Sequence, residues 1–206
     1  MNKLDLLKGE WKDAYRASVK PKLVTVPAIS YLVLDGEGNP NGAAFQQAVE
    51  ALYSVAYTLK FMIKEGETTL PAADFGVTPL EAQWYMPNMA DFTEENKDKW
   101  QWSAMIAMPD FVTSKVVSQA IDKARAKKPL ARIADVKLRK MTDGLSAQVM
   151  HIGPYSEEKP TIAMLHAFIK DSGYKLAGRH REIYLGDPRR SAPDKLRTIL
   201  RQPCRK

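Results

Sequence analysis

The sequence predicts an α+β fold, a strand-strand-helix-strand-strand module present twice in tandem, with a ligand groove between the two copies. Three observations predict it. Two amphipathic helical stripes are each preceded by a pair of short apolar runs and followed by another pair. Turn signals rich in Gly, Pro, Asn and Asp separate those runs at corresponding places. The chain of 206 residues is 45% hydrophobic, enough for a substantial core. Residues 1–20 read as an N-terminal extension and 21–206 as a single domain, with repeat one at about 22–109, a linking helix at about 112–126 and repeat two at about 133–203.

Leu23–Val26 and Ala28–Leu34 read as strands broken near Pro27, and Asp35 to Gly42 is a dense turn signal. A helix follows from about Ala43 to Ile63, with Phe45, Val49, Leu52, Ala56, Leu59 and Ile63 on one stripe. Two strands come next, Gly76–Met86 and Trp100–Met108, the second stopped by Pro109. Val116, Val117, Ala120, Ile121 and Ala124 mark the linking helix. In the second half, Ala134–Met141 and Leu145–Ile152 read as strands around an Asp143-Gly144 hairpin signal. A helix from about Glu157 to Asp171 carries Ile162, Leu165, Phe168 and Ile169, with Gly173 as its C-terminal cap. Strands at Arg181–Leu185 and near Thr198–Leu200 complete the module.

Charge and cysteine usage narrow the function classes. The net charge of +7 is unevenly placed: residues 122–141 hold eight Lys/Arg and two Asp, and residues 179–206 hold nine Lys/Arg and three acids. Residues 65–98 hold eight acids and one Lys, which repels phosphates, and no helix-turn-helix or RNA-binding motif accompanies the basic segments, so no direct nucleic-acid contact is expected. No apolar run approaches the roughly 18 residues that span a bilayer, and Met1–Lys20 has no signal-peptide core. One cysteine, Cys204, excludes an internal disulfide; Arg205 beside it favours a lowered pKa, with an incidental terminal cysteine as the plainer reading. The histidines at 151, 166 and 180 lack ligand spacing, so neither metal nor cofactor is expected. The reading is a cytoplasmic protein, monomeric or homodimeric.

Candidate chemistry centres on Glu182, an acid set among Ile183, Tyr184 and Leu185 and stopped by Gly186-Asp187-Pro188. Such an acid is costly to bury without a partner, so it reads as a ligand contact or a general base. The plainer alternative is a sheet-edge carboxylate paired with Arg181 or Arg179. Strand alternation puts Glu182 and Tyr184 on one face; with Ile183 and Leu185 given to the helix-covered core, the pair should face the groove. His151 joins Glu182 and Tyr184 as a candidate acid or base, beside the alternative of a hydrogen-bonded structural histidine. In the first half, alternation groups Glu81, Gln83 and Tyr85 opposite Trp84, and a bulge would reverse that phase. The candidate ligand-binding set is Trp84, Tyr85, Trp102, Met105, Tyr53, Met150 and Tyr155. Aromatic walls, adaptable methionines and one carboxylate suit flat, lipophilic or cationic molecules. Ordinary core packing is the alternative for each of them, and for Tyr53, with Tyr57, packing comes first.

The chain also resembles the GyrI-like small-molecule-binding family. The resemblance rests on Tyr31 to Pro40, Leu52 to Phe61, Pro79-Leu80-Glu81 with Trp84, Pro109 to Thr113, Met150 to Tyr155, and Glu182 to Arg190, and covers about Lys22 to Pro203. It implies a duplicated α+β module with a groove that senses lipophilic, often cationic drugs through a glutamate, here Glu182. It also implies the free-standing branch, some members of which hydrolyse cyclopropane-bearing, DNA-alkylating natural products. Trp84-Tyr85 stands where relatives often carry Trp-Trp, and Arg181 where a histidine is common. Three functions are therefore expected of one chain: binding of hydrophobic aromatic or cationic molecules, a detoxifying cyclopropyl hydrolase with Glu182 as base, or a module acting on gyrase or a regulator through its basic segments.

Overall fold

The computed structural model describes residues 3–9, 11–88 and 92–206. The fold is α+β, a large antiparallel sheet with three helices. In chain order the elements are β1 (Lys3–Leu4), β2 (Lys22–Val26), β3 (Ile29–Glu37), α1 (Ala43–Lys64), β4 (Asp74–Phe75), β5 (Leu80–Tyr85), β6 (Gln101–Met108), α2 (Ser114–Lys127), β7 (Lys137–Met141), β8 (Gly144–Ile152), α3 (Glu158–Asp171), β9 (Lys175–Leu176), β10 (His180–Tyr184) and β11 (Arg197–Arg205). The chain divides into two compact units.

The first unit comprises Met1–Leu6, Ile29–Thr78 and Trp84–Met141. Its strands run β6-β3-β7, all antiparallel, with Leu32 opposite Ile106 and Leu138. Helix α1 buries Ala48, Ala51, Leu52, Val55, Ala56, Leu59, Met62 and Ile63, spaced at three and four residues as one apolar stripe demands. Helix α2 packs against α1 through Val116, Val117, Ala120 and Ala124, and Thr113 caps it by accepting from Val116 N.

The second unit comprises Leu7–Ala28, Pro79–Gln83 and Thr142–Lys206. Its strands run β2-β8-β11-β10, with the start of β5 next to β10. Leu165 and Ile169 of α3 pack on Ala147, Val149, Leu200 and Cys204 to form its apolar core. The opposite face is backed by the segment before β2: Trp11, Ala14 and Tyr15 are buried, Ser18 O accepts from Met150 N at 2.8 Å, and Gln148 Nε2 donates to Asp13 O and Arg16 O. The sequence reading left these residues as an extension.

Several expectations change. Asp143-Gly144 does not close a hairpin: β7 pairs with β3, whereas β8 pairs with β2 and β11. The Asp143 carboxylate is instead held by two buried arginines, and the Thr142 hydroxyl donates to Val26 O. Strand β11 runs on to Arg205 rather than stopping near Leu200, because Pro203 sits opposite Ser146 and needs no N–H to continue. Cys204 is buried, and burial raises its thiol pKa, contrary to the lowering expected from Arg205. The phase of β10 against the helix is the reverse of the expected one. Glu182 lies opposite Leu200, which packs under α3, so the acid shares the helix face, while Ile183 opposite Ile199 belongs to the other side.

Candidate functional site

The helix-side face of the second unit gathers its polar side chains around the first turn of α3. Register sets the rows: Thr198 lies opposite Tyr184 on one side and His151 on the other, and Leu200 lies opposite Glu182 and Val149. Tyr184 donates its hydroxyl to Glu182 Oε2 at 2.7 Å, a contact that two residues on one strand face can make. The ring of Tyr155, in the turn before α3, meets Tyr184 edge-on with centroids 5.4 Å apart. His180 Nε2 stands 3.6 Å from Glu182 Oε1. The sequence-predicted residues Glu182, Tyr184, Tyr155 and His151 thus belong to one face. His151 has both ring nitrogens engaged, Nδ1 with the Thr161 hydroxyl at 3.0 Å and Nε2 with Pro154 O at 3.2 Å. The tautomer that satisfies both donates from Nε2 and ties the turn before α3 to the helix.

Sequence reasoning missed Glu158, the first residue of α3, which is 5% exposed. Burial, then the neighbouring Glu182 carboxylate, push its pKa up to about 9; the Thr198 hydroxyl beside it offsets this in part, without reaching hydrogen-bond geometry. A Glu157-Glu158-Lys159 run reads as an exposed acidic first turn, and nothing in it signals burial. Thr198 and His180 were also missed. Oγ1 of Thr198, both nitrogens of His180 and Oε1 of Glu158 are buried without a hydrogen-bond partner among the described residues.

On the unit's other face lies Arg181, one of the two arginines offered as a sheet-edge partner for Glu182. Its guanidinium donates to Glu81 Oε2 at 2.9 Å and Asp143 Oδ1 at 2.8 Å, away from Glu182. Arg201 donates to Asp143 Oδ2 at 3.1 Å, to Gln148 Oε1 at 3.2 Å and to Ala14 O, and Tyr15 donates to Glu81. Burial alone would raise the Asp143 pKa, but the two arginines hold it below the usual carboxylate range. Two cations against two carboxylates make this a balanced structural network. Met150 points to this same side, since it lies opposite Ile199.

The remaining predicted residues belong to the first unit. Phe45 of α1 packs at 5.0 Å from Trp84 and 5.1 Å from Trp102, and Trp100 lies 6.1 Å from Trp84. Trp102 and Met105 are fully buried and Trp84 nearly so. Trp102 packs against Gly36, where a Cβ would come within 2.3 Å of its ring. Tyr85 is half-buried and near enough to Arg139 to raise its pKa slightly, after the larger effect of Asp35. Tyr53 stacks on exposed Tyr57 at 6.2 Å. An apolar depression of about 440 Å³ lies at the far end of α3, lined by His166, Ile169, Lys170, Tyr174, Lys175 and Leu176. Neither Glu158 nor Glu182 lines it. Among the described residues no group of side chains could hold a metal ion, and no helix is long and apolar enough to cross a membrane.

The model of the GyrI-like small molecule binding domain matches residues 20–203, nearly the whole chain. The chain belongs to the GyrI-like family. An uncharacterized conserved protein from Listeria innocua is 40% identical to this GyrI-like chain over 98% of it and 100% of the Listeria protein, with a TM-score of 0.91. A hydrolase from Listeria innocua is also 40% identical, over 98% and 100% of the two chains, with a TM-score of 0.86. The EcmrR C-terminal domain, 12% identical over 91% of this chain and 98% of that one at a TM-score of 0.59, shares the GyrI-like fold. No curated protein matches the chain.

Proposed function

We propose that this GyrI-like domain captures lipophilic aromatic molecules, cationic ones among them, on the helix side of its second unit, with Glu182 as the charged contact. The observation that carries this reading is a largely buried carboxylate that accepts a hydrogen bond from a tyrosine, while the neighbouring Arg181 pairs with Glu81 and Asp143. A carboxylate so placed favours a cation, and the edge-to-face pair of Tyr155 and Tyr184 offers ring surface against which a flat molecule can lie. His151 acts as a positioning residue through its two bonds. Tyr85 and Tyr53, half-buried in the first unit, are its candidates for further ligand contact, whereas Trp84, Trp102 and Met105 are assigned to packing, and Met150 to the face away from Glu182. The ligand is a small molecule, with no direct nucleic-acid partner and a cytoplasmic setting. Titration calorimetry of 10-methylacridinium, a permanent flat cation, with wild type and Glu182→Gln tests the reading. Binding by the wild type that Glu182→Gln weakens at least tenfold supports it; no binding to either folded protein at high micromolar concentration sinks it.

A second reading, hydrolysis, is favoured by the 40% identity to a hydrolase from Listeria innocua. Glu182 would take a proton from a water whose oxygen bonds to a strained cyclopropane carbon; the ring C–C bond breaks and its electron pair passes into a conjugated dienone, giving a phenolate. A positioned base of this kind contributes about a hundred- to ten-thousand-fold. Mass spectrometry of a spirocyclopropane-cyclohexadienone incubated with each protein tests it. A product heavier by one water with wild type and not with Glu182→Gln is expected; unchanged compound with both leaves sequestration alone.

A further inference from the structure

We infer that His180 decides which charge of ligand the site admits. As a neutral imidazole it leaves the Glu182 carboxylate to a cation; as an imidazolium it pairs with that carboxylate and leaves the aromatic face to uncharged molecules. The inference rests on the binding reading above.

The geometry is one carboxylate divided between two neighbours on its own strand. Tyr184 donates to Oε2 at 2.7 Å, and Nε2 of His180 stands 3.6 Å from Oε1. That separation is too long for a hydrogen bond, yet within ion-pair range once the ring carries a second proton. His180, Glu182 and Tyr184 sit at alternate positions of β10 and so share a face. The side chain of Glu182 is 14% exposed and that of His180 only 6%. A ligand therefore meets the carboxylate first, with the imidazole behind it. Neither ring nitrogen of His180 has a hydrogen-bond partner among the described residues. His151, by contrast, has both of its nitrogens engaged. His180 is thus a positioning residue that acts on the ligand through Glu182.

The other charged and titratable groups come from every element packed around the imidazole. On β10, Arg181 alternates to the opposite face, where it pairs with Glu81 of β5 and with Asp143. Arg179, just before the strand, is exposed. Helix α3 brings His166, whose pKa is lowered by burial and by His180, and Glu158, whose pKa is raised to about 9 by burial and then by Glu182. Its other charged residues, Lys159, Lys170 and Asp171, are exposed. Strand β11 brings Cys204, whose thiol pKa burial raises, and β8 brings His151. The turn before α3 brings the Tyr155 phenol. Between pH 5.5 and 8 the groups on this face that can change charge are therefore the histidines.

Histidine is the side chain whose charge ordinarily changes between pH 5 and 8. With His180 neutral, the Glu182 carboxylate carries a charge that a monocation can meet. With His180 protonated, the same monocation would bring a second positive charge to one carboxylate, in a poorly hydrated place where charges interact more strongly than in water. Binding of the cation and the proton on His180 therefore oppose each other. An uncharged aromatic of the same shape rests on the rings of Tyr155 and Tyr184 and is indifferent to that proton.

The experiment is calorimetry of the full chain from pH 5.5 to 8 with 10-methylacridinium and its neutral counterpart 10-methylacridone. Wild type is expected to bind the cation about tenfold more weakly at pH 5.5 than at pH 8, and the neutral dye equally at both. His180→Gln should bind the cation with a flat profile. Cation binding by wild type that does not change with pH overturns the inference and leaves the binding reading standing. The same fall in His180→Gln overturns it too, since His151, His166 or Glu182 would then be the source. Failure of both dyes to bind at pH 8 overturns the binding reading and the inference with it. Proton NMR of the histidine rings keeps the test independent of the folding of His180→Gln, with His151→Gln and His166→Gln assigning the other two signals. Saturating methylacridinium should move the His180 titration to lower pH, and methylacridone should not; a His180 titration unmoved by the cation is contrary.

Discussion

Tyr184 donates to Glu182 from two positions along the same strand, at 2.7 Å, and so fixes where the acid points. Removing the hydroxyl frees one carboxylate oxygen and leaves the ring against Tyr155. A hydrogen bond of this kind is worth about 1 kcal/mol. Tyr184→Phe is therefore expected to weaken methylacridinium binding by roughly three- to tenfold, with the fold intact by circular dichroism. Equal affinity in the two proteins would mean that the bond does not organise the site.

Asp143 is the shared anion of Arg181 and Arg201, which lie directly opposite each other on β10 and β11. Without it the two buried guanidiniums lose the carboxylate they share, and Glu81 stays beside Arg181. Asp143→Asn is expected to lose about 3–5 kcal/mol of stability, read from urea denaturation, because the uncompensated charge remains buried. A loss under about 1 kcal/mol would show that water reaches the network.

The Glu158 carboxyl predicts a particular pH dependence of stability. Its pKa is raised in the folded state from 4.5 to about 9, so the folded protein binds more protons than the unfolded chain across that window. Stability from this group is therefore greatest below the lower value and falls as pH rises toward the upper one, by at most about 1.4 kcal/mol per pH unit. Asp143 runs the other way: its pKa is lowered, so its contribution is present at neutral pH and is lost in acid. Thermal melts from pH 6 to 9 should show wild type falling relative to Glu158→Gln. Parallel curves would place the Glu158 pKa back in the ordinary range.

Gly36 packs against the Trp102 ring, with no room for a methyl group. Trp102 is fully buried and held edge-on by Phe45, so it cannot swing aside. Gly36→Ala is expected to destabilise by about 1–3 kcal/mol through overpacking, with a change in the near-ultraviolet tryptophan signal. An unchanged spectrum and midpoint would contradict the close packing.

The helices were legible in the sequence because each carries one apolar stripe of sustained period, and α1, α2 and α3 begin and end within about two residues of expectation. What sequence could not supply were choices made by tertiary partners. Asp143-Gly144 has hairpin chemistry, but its carboxylate serves two arginines distant in sequence. Ile183 looks like helix-facing core by hydropathy, yet the second unit has two apolar sides. The one under α3 is filled by Leu200, opposite Glu182, and the other is backed by Trp11, Ala14 and Tyr15. Period-two alternation correctly grouped Glu182 with Tyr184 but carries no sign, so it could not say which side the pair takes. Glu182 itself stood out as an acid in an apolar run. Glu158 did not, because an acid at a helix start is ordinary and only its burial beside a second carboxylate sets it apart.

The central claim, that Glu182 is the charged contact for an aromatic small molecule, is tested most directly by titrating 10-methylacridinium into wild type and Glu182→Gln at pH 8 and comparing dissociation constants. At least tenfold weaker binding by Glu182→Gln, with an unaltered melting curve, is the predicted result. Equal binding by the two proteins would place the ligand elsewhere and contradict the account.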